Sequence, residues 1–299
     1  MAALNPPRIW QAISTQHGPK NATMLASSAT ADHRGNDEVR DKKMRAPIPQ
    51  EKQSVLWDEM IAFLEKQTST DIARSIQWNA YWKACDDLAK DDALTASLFK
   101  AVLAGSAGNL EASEYWLRNV EQLGGTSEAN AWRMCLRGTQ GYATAALEVA
   151  PKALANPGPI SFVEVATAAC WIGAFTTVLQ AVNIASQQNK VLVDVAHVVE
   201  TARNADHVLN QLGVTEAQYA AILDVAGEMM RERKLAWTDT SAYHVIDEGP
   251  DQLGLLMVYR IHVTPEEASD MNFELVSNLV DRDLDKPGLS VSFQGLKAH

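Results

Sequence analysis

The sequence predicts a mainly α-helical protein, a body of stacked helical hairpins followed by a small α+β unit, and three observations carry that reading. Gly108, Gly141 and Gly173 lie 33 and then 32 residues apart, each between stretches rich in Ala and Leu. One helical hairpin cannot bury its own apolar face and needs a neighbour on each side, so such a beat marks a stack. Hydrophobic content of 46% in 299 residues is enough for a sizeable core. After the helix that follows Gly213, the apolar period shifts from helical spacing to alternation, as in Leu255, Met257, Tyr259, Ile261 and Val263, which marks strands.

In order along the chain, residues 1–50 are dominated by Ser, Thr, Asn, Pro, Gly and charges and read as a flexible tail. A first helix begins near Gln53, with Val55, Leu56, Met60, Phe63 and Leu64 at helical spacing. A second starts from about Thr70, capped by Ser69 or Thr70, and carries Ile72, Ile76, Tyr81, Trp82, Cys85 and Leu88. Trp78 and Trp82 share its face, where they either pack under the first repeat or form an aromatic patch for a peptide.

The repeats run from about Asp92 to Leu212. In the first, Leu94, Leu98, Ala101 and Val102 precede the turn at Gly108-Asn109, and Leu110 to Leu123 returns. In the second, Ala131, Met134 and Leu136 precede Gly141, and a return helix carries Ala145, Ala146, Val149, Ala150 and Leu154 to a break at Asn156-Pro157-Gly158-Pro159. The third turns at Gly173 and ends at Gln187-Gln188-Asn189. A fourth helix or broken pair covers Val191 to Leu212.

The repeats resemble the tetratricopeptide family. With Gly108 and Gly141 on its turn position, Ala146, Ala153 and the nearby Pro157 agree with its pattern, whereas the first-helix Trp and Leu-Gly positions do not. The resemblance covers about 120 of the 299 residues, 92–212. It implies a concave face that binds peptides or proteins, and an irregular helical bundle is the alternative architecture. None of the family's binding residues carries over.

From 213 to 299, Thr215-Glu216 opens a helix striped with Tyr219, Ile222, Leu223, Val225, Ala226, Met229 and Met230. Two strands follow, joined by a turn at Glu248-Gly249-Pro250-Asp251, with Leu255, Met257, Tyr259, Ile261 and Val263 on one buried face. Thr264-Pro265-Glu266-Glu267 is a capping box with proline at the first helical position, and its helix carries Ala268, Met271, Leu275, Val276, Leu279 and Val280. Leu289, Val291 and Phe293 alternate with Ser290, Ser292 and Gln294 as a last strand.

The net charge of −11 argues against a duplex nucleic acid partner, which demands clustered Lys and Arg. Seven basic and four acidic residues in 1–50 give the tail +3, so the remainder is −14. Cys85, Cys135 and Cys170 are an odd, widely spaced set in apolar sequence, the pattern of buried thiols in a reducing compartment, so a cytoplasmic location is expected. No membrane-spanning segment and no cleavable signal is read from the sequence. The phosphate-loop, dinucleotide, nucleophile-elbow and zinc-hydrolase motifs are absent, and Asp281, Asp283 and Asp285 lack the Gly and Glu of a calcium loop. No cofactor and no metal is therefore expected.

Strand parity supplies one further constellation. Arg260 and His262 project away from the buried face, where His244 and Glu248, and Ser290, Ser292 and Gln294, can join them to hold a carboxylate, a phosphate or an acidic partner. Alternation alone also makes such a face polar. The sequence thus favours a non-enzymatic adaptor that grips a protein through the repeat groove, with the C-terminal unit as a homodimer or docking contact. An enzyme or ligand sensor using His244, Arg260 and His262 is the rival.

Overall fold

The computed structural model describes residues 50–158, 160–236, 242–247 and 253–296. The tail before Gln50, Pro159 and the turn at 248–251, with Glu248, lie outside the described residues. The fold is mainly helical with a three-stranded sheet near the C-terminus.

Helix α1 (Gln50–Leu64) and α2 (Ile76–Leu88) form an opening pair. The start of α2 is six residues later than the sequence suggests. Ser75, with ψ 146°, accepts from Trp78 N and is the cap. Residues 68–70 are diverted instead into a bridge with Leu235, held by Thr70 N to Lys234 O and Ala236 N to Thr68 O.

The hairpins follow as α3 (Ala93–Ser106) with α4 (Leu110–Gln122), α5 (Thr126–Thr139) with α6 (Ala143–Leu147) and α7 (Ala150–Ala155), α8 (Phe162–Trp171) with α9 (Phe175–Gln187), and then α10 (Ala196–Leu212) and α11 (Glu216–Glu232). Asp92, Asn109 and Ser161 cap α3, α4 and α8 by accepting from backbone N–H groups. The second return helix, continuous by sequence periodicity, is in fact two short helices. Pro151 has no N–H to give to Leu147, so the helix breaks at Glu148-Val149 and restarts with proline in its first turn. The first helices of successive hairpins, α3, α5, α8 and α10, pack on one another in series. Trp57 anchors the near end of this core, edge-on to Trp132 at 5.5 Å and 4.8 Å from Phe99.

The three periodic glycines have φ of 74°, 69° and 81°, the left-handed conformation that a tight turn between helices needs. Two of them also face α11, which runs across the turn ends of the stack. A Cβ on Gly227 of α11 would lie 2.1 Å from Gly141 O, and one on Gly173 would lie 2.7 Å from Tyr219 Cδ1. Acidic residues of α11 cap the return helices from outside: Glu216 accepts from Thr177 N at 3.2 Å, and Asp224 from Thr144 N at 3.2 Å. Arg231 donates to Gln140 O at 3.0 Å and to Gly141 O, and lies 3.8 Å above the Tyr142 ring. Helix α11 is therefore a clasp. Its contacts at 216–219 and 224–231 are centred about 15 Å apart along the axis, so one helix reaches two successive hairpins.

The sheet has order β1 (Ala242–Asp247), β2 (Leu253–Ile261), β3 (Leu289–Gly295), with β1 antiparallel and β3 parallel to β2. Helix α12 (Pro265–Asp281) is the crossover from β2 to β3, and its Thr264–Glu267 capping box forms as the sequence indicates. Leu255, Met257, Tyr259 and Ile261 are buried, and Tyr243 donates to Trp171 O at 3.1 Å, tying the sheet to the third hairpin. One buried cluster extends from Trp57 to Phe293. Asn272 of α12 fills the open edge of β3, accepting from Phe293 N at 2.7 Å and donating to Phe293 O at 2.9 Å. Val276 and Val280, which periodicity places in the stripe of α12, are exposed with Phe273, because the helix turns Ala268, Met271 and Leu275 inward, with Leu279 partly buried, and leaves the other face to solvent.

Candidate functional site

The aromatic pair of α2 is brought together but largely engaged. Trp78 stacks on Trp82 at 4.8 Å and donates from Nε1 to Leu103 O at 3.3 Å. Trp82 meets Trp116 of α4 edge-on, and Lys100, buried and paired with Asp86 at 2.5 Å, sits 4.2 Å from the Trp116 ring. Both tryptophans are half-buried, and Tyr115 is the exposed member of this row.

On the outer face of the sheet, register places His244 opposite Leu256 with Ser290 beyond it, Val258 beside Ser292, and Arg260 beside Gln294. Arg260 Nε donates to Gln294 Oε1 at 3.0 Å, so those two meet. His244 stands four residues away along β2, roughly 13 Å. His262 is exposed past the strand end. Two half-buried apolar residues, Leu256 and Val258, separate the polar groups. The face is thus mixed in character, and among the described residues His244, Arg260 and His262 do not converge.

A pocket of about 430 Å³ opens instead in the repeats, where α4 and α6 part over α5. Its floor is apolar, from Leu110, Leu117 and Leu136. Its walls are ionic. Arg133 of α5 is buried, and its Nε donates to Glu114 at 2.9 and 3.0 Å and its Nη1 to Glu121 at 2.9 Å. Burial opposes the charge on Arg133, but the hydrogen bonds to Glu114 and Glu121 outweigh it and hold its pKa above the ordinary arginine value. Arg137 donates to Ala145 O at 3.0 Å and approaches Glu114 at 3.6 Å, and Arg118 approaches the same carboxylate at 3.8 Å. Glu111, Glu148 and Tyr142 complete the rim.

Sequence reasoning missed this group. Its signal was two charges at i and i+4 on each of two facing helices, Glu114 with Arg118 and Arg133 with Arg137, the latter inside an otherwise apolar run. Elsewhere, burial pushes the thiols of Cys85, Cys135 and Cys170 up to about 12, so none of them is a nucleophile at neutral pH. Among the described residues, no group of three His, Cys, Asp or Glu side chains could hold a metal ion. No helix among them is long and apolar enough to cross a membrane. Compared with protein-family models, curated proteins and solved structures, the chain matches none.

Proposed function

We propose that this chain is a non-enzymatic adaptor, cytoplasmic, whose tetratricopeptide-like hairpin stack grips a protein partner at the pocket between α4 and α6. The observation that carries the reading is the pocket itself, an open concavity with a leucine floor and ionic walls of both signs. Its walls are held by a buried arginine already fixed by two carboxylates, so little order is lost when a partner docks. The rival site on the outer sheet has less support, since His244 and Arg260 are spread along the strands. A photo-crosslinking residue placed at Arg118, on the rim, tests the reading in the native host. One discrete adduct, absent when the residue is placed at Ile184 on α9, supports it, and identical patterns at both positions refute it.

A second reading concerns self-association through the C-terminal unit. Phe273, Val276 and Val280 recur at helical spacing on α12 and are 77%, 58% and 54% exposed. Two copies pairing these stripes would bury them. Sedimentation of the purified chain should show a dimer that Phe273→Ser dissociates, and a monomer at all concentrations removes this reading.

A further inference from the structure

The geometry points to a second property of the same pocket: it is a site for a small zwitterion with an apolar middle, an amino-acid-like molecule carrying one carboxylate and one ammonium. The inference shares the pocket with the proposed partner site but does not need the partner.

The sign balance of the lining is the first ground. Three arginines, Arg118, Arg133 and Arg137, face three glutamates, Glu111, Glu114 and Glu148. A ligand of single charge would meet as many like charges as unlike ones. A ligand of both signs can match each wall, and the leucines beneath suit a hydrocarbon link between its charges.

The second ground is which of these groups are already committed. Arg133 and Glu114 are bound to each other at 2.9 Å, and Arg133 is further tied to Glu121. Arg118 is only loosely paired, at 3.8 Å, with its side chain 66% exposed. Glu111 and Glu148 have no cationic partner among the described residues and are both exposed. The uncommitted cation and the uncommitted anions therefore sit at different parts of the rim. Glu111 and Arg118 are seven residues apart on α4, two turns on one face, so their backbone positions are separated by about 10 Å. That span suits a ligand whose carboxylate and ammonium are separated by a chain of several methylenes. The carboxylate would lie against the exposed guanidinium of Arg118, on the side away from Glu114, and the ammonium beside Glu111 or Glu148.

The test is an equilibrium titration of the purified full chain with 6-aminohexanoate, hexanoate and hexylammonium at matched ionic strength, followed by calorimetry. The expected result is saturable binding of 6-aminohexanoate, with each singly charged analogue weaker by about tenfold or more. The double variant Glu111→Gln/Glu148→Gln should lose the preference for the zwitterion over hexanoate. Arg118→Gln should weaken binding of 6-aminohexanoate and leave hexylammonium unaffected. These positions are on the exposed rim, and an unchanged urea midpoint confirms that each variant is folded. The inference is overturned by an absence of saturable binding up to about 20 mM, by hexanoate binding as tightly as the zwitterion, or by a double variant that keeps the preference. The crosslinking experiment uses no small ligand, so a failed titration leaves the partner reading standing.

Discussion

Replacing Gly227 by alanine separates two opposing effects on one residue. Gly227 is in the interior of α11, where alanine is intrinsically favoured over glycine by about 1 kcal/mol. Helix propensity alone therefore has the variant more stable. The added Cβ, however, would lie 2.1 Å from Gly141 O, 2.5 Å from its Cα and 2.6 Å from its C. All three are backbone atoms of a turn already fixed at φ 69°, and no side-chain rotation relieves them. Either α11 or the turn must retreat by about 1 Å, which loosens the bonds of Arg231 and Asp224 to that hairpin. Overpacking of this kind costs about 1–3 kcal/mol, and here the loosened bonds place it toward the upper end, so the net effect is a loss of about 1–2 kcal/mol. Urea denaturation followed by circular dichroism measures it. Gly213→Ala is the control, since nothing lies within 4 Å of its added Cβ and only its φ of 67° is strained. A Gly227→Ala protein as stable as the parent, or more so, would refute the clasp.

Three further outcomes follow from burial and charge. Because burial pushes all three thiols up to about 12, an aromatic disulfide reagent at pH 8 should find none in the folded protein and all of them in denaturant; rapid native reaction would contradict the core assignment. Burial raises the Glu216 carboxyl above its ordinary 4.5, against the hydrogen bonds from Thr177 and Thr176, so the folded chain holds that proton more tightly than the unfolded one. Its contribution is thus fully present below pH 4.5 and is lost as pH rises through the raised pKa; the parent should lose more stability over that range than Glu216→Gln, and parallel curves would contradict it. Removing the Arg133 guanidinium with Arg133→Met should cost about 2–3 kcal/mol, less than for a fully dry pair because Glu114 and Glu121 keep some solvent, and a neutral result in urea would contradict the network.

The local grammar of the fold was legible. The hairpin turns at Gly108, Gly141 and Gly173, the capping box at Thr264 and the parity of β2 all follow from short-range rules, and each forms. Pro151 was equally local, and the break it imposes follows from its missing N–H once the apolar spacing around it is set aside. What was not legible is long-range. The delayed start of α2 depends on Leu235, more than 160 residues away, and the close approach of Gly227 to Gly141 has no trace in either neighbourhood. The same holds for the site. His244, Arg260, Ser290 and Ser292 share a face because alternation dictates it, yet register spreads them along the strands, and His262 lies past the end of β2. The ionic pocket depends on how far α4 and α6 diverge over α5, which no spacing within one helix encodes.

On the proposed reading, the repeat body works through the pocket between α4 and α6. Site-specific photo-crosslinking in the native host, comparing Arg118 with Ile184, tests it most directly. The expected result is a single discrete adduct from Arg118 that is lost when Arg137 is also changed to Glu. An adduct from Ile184 alone, or one from Arg118 that survives the Arg137→Glu change, would contradict it.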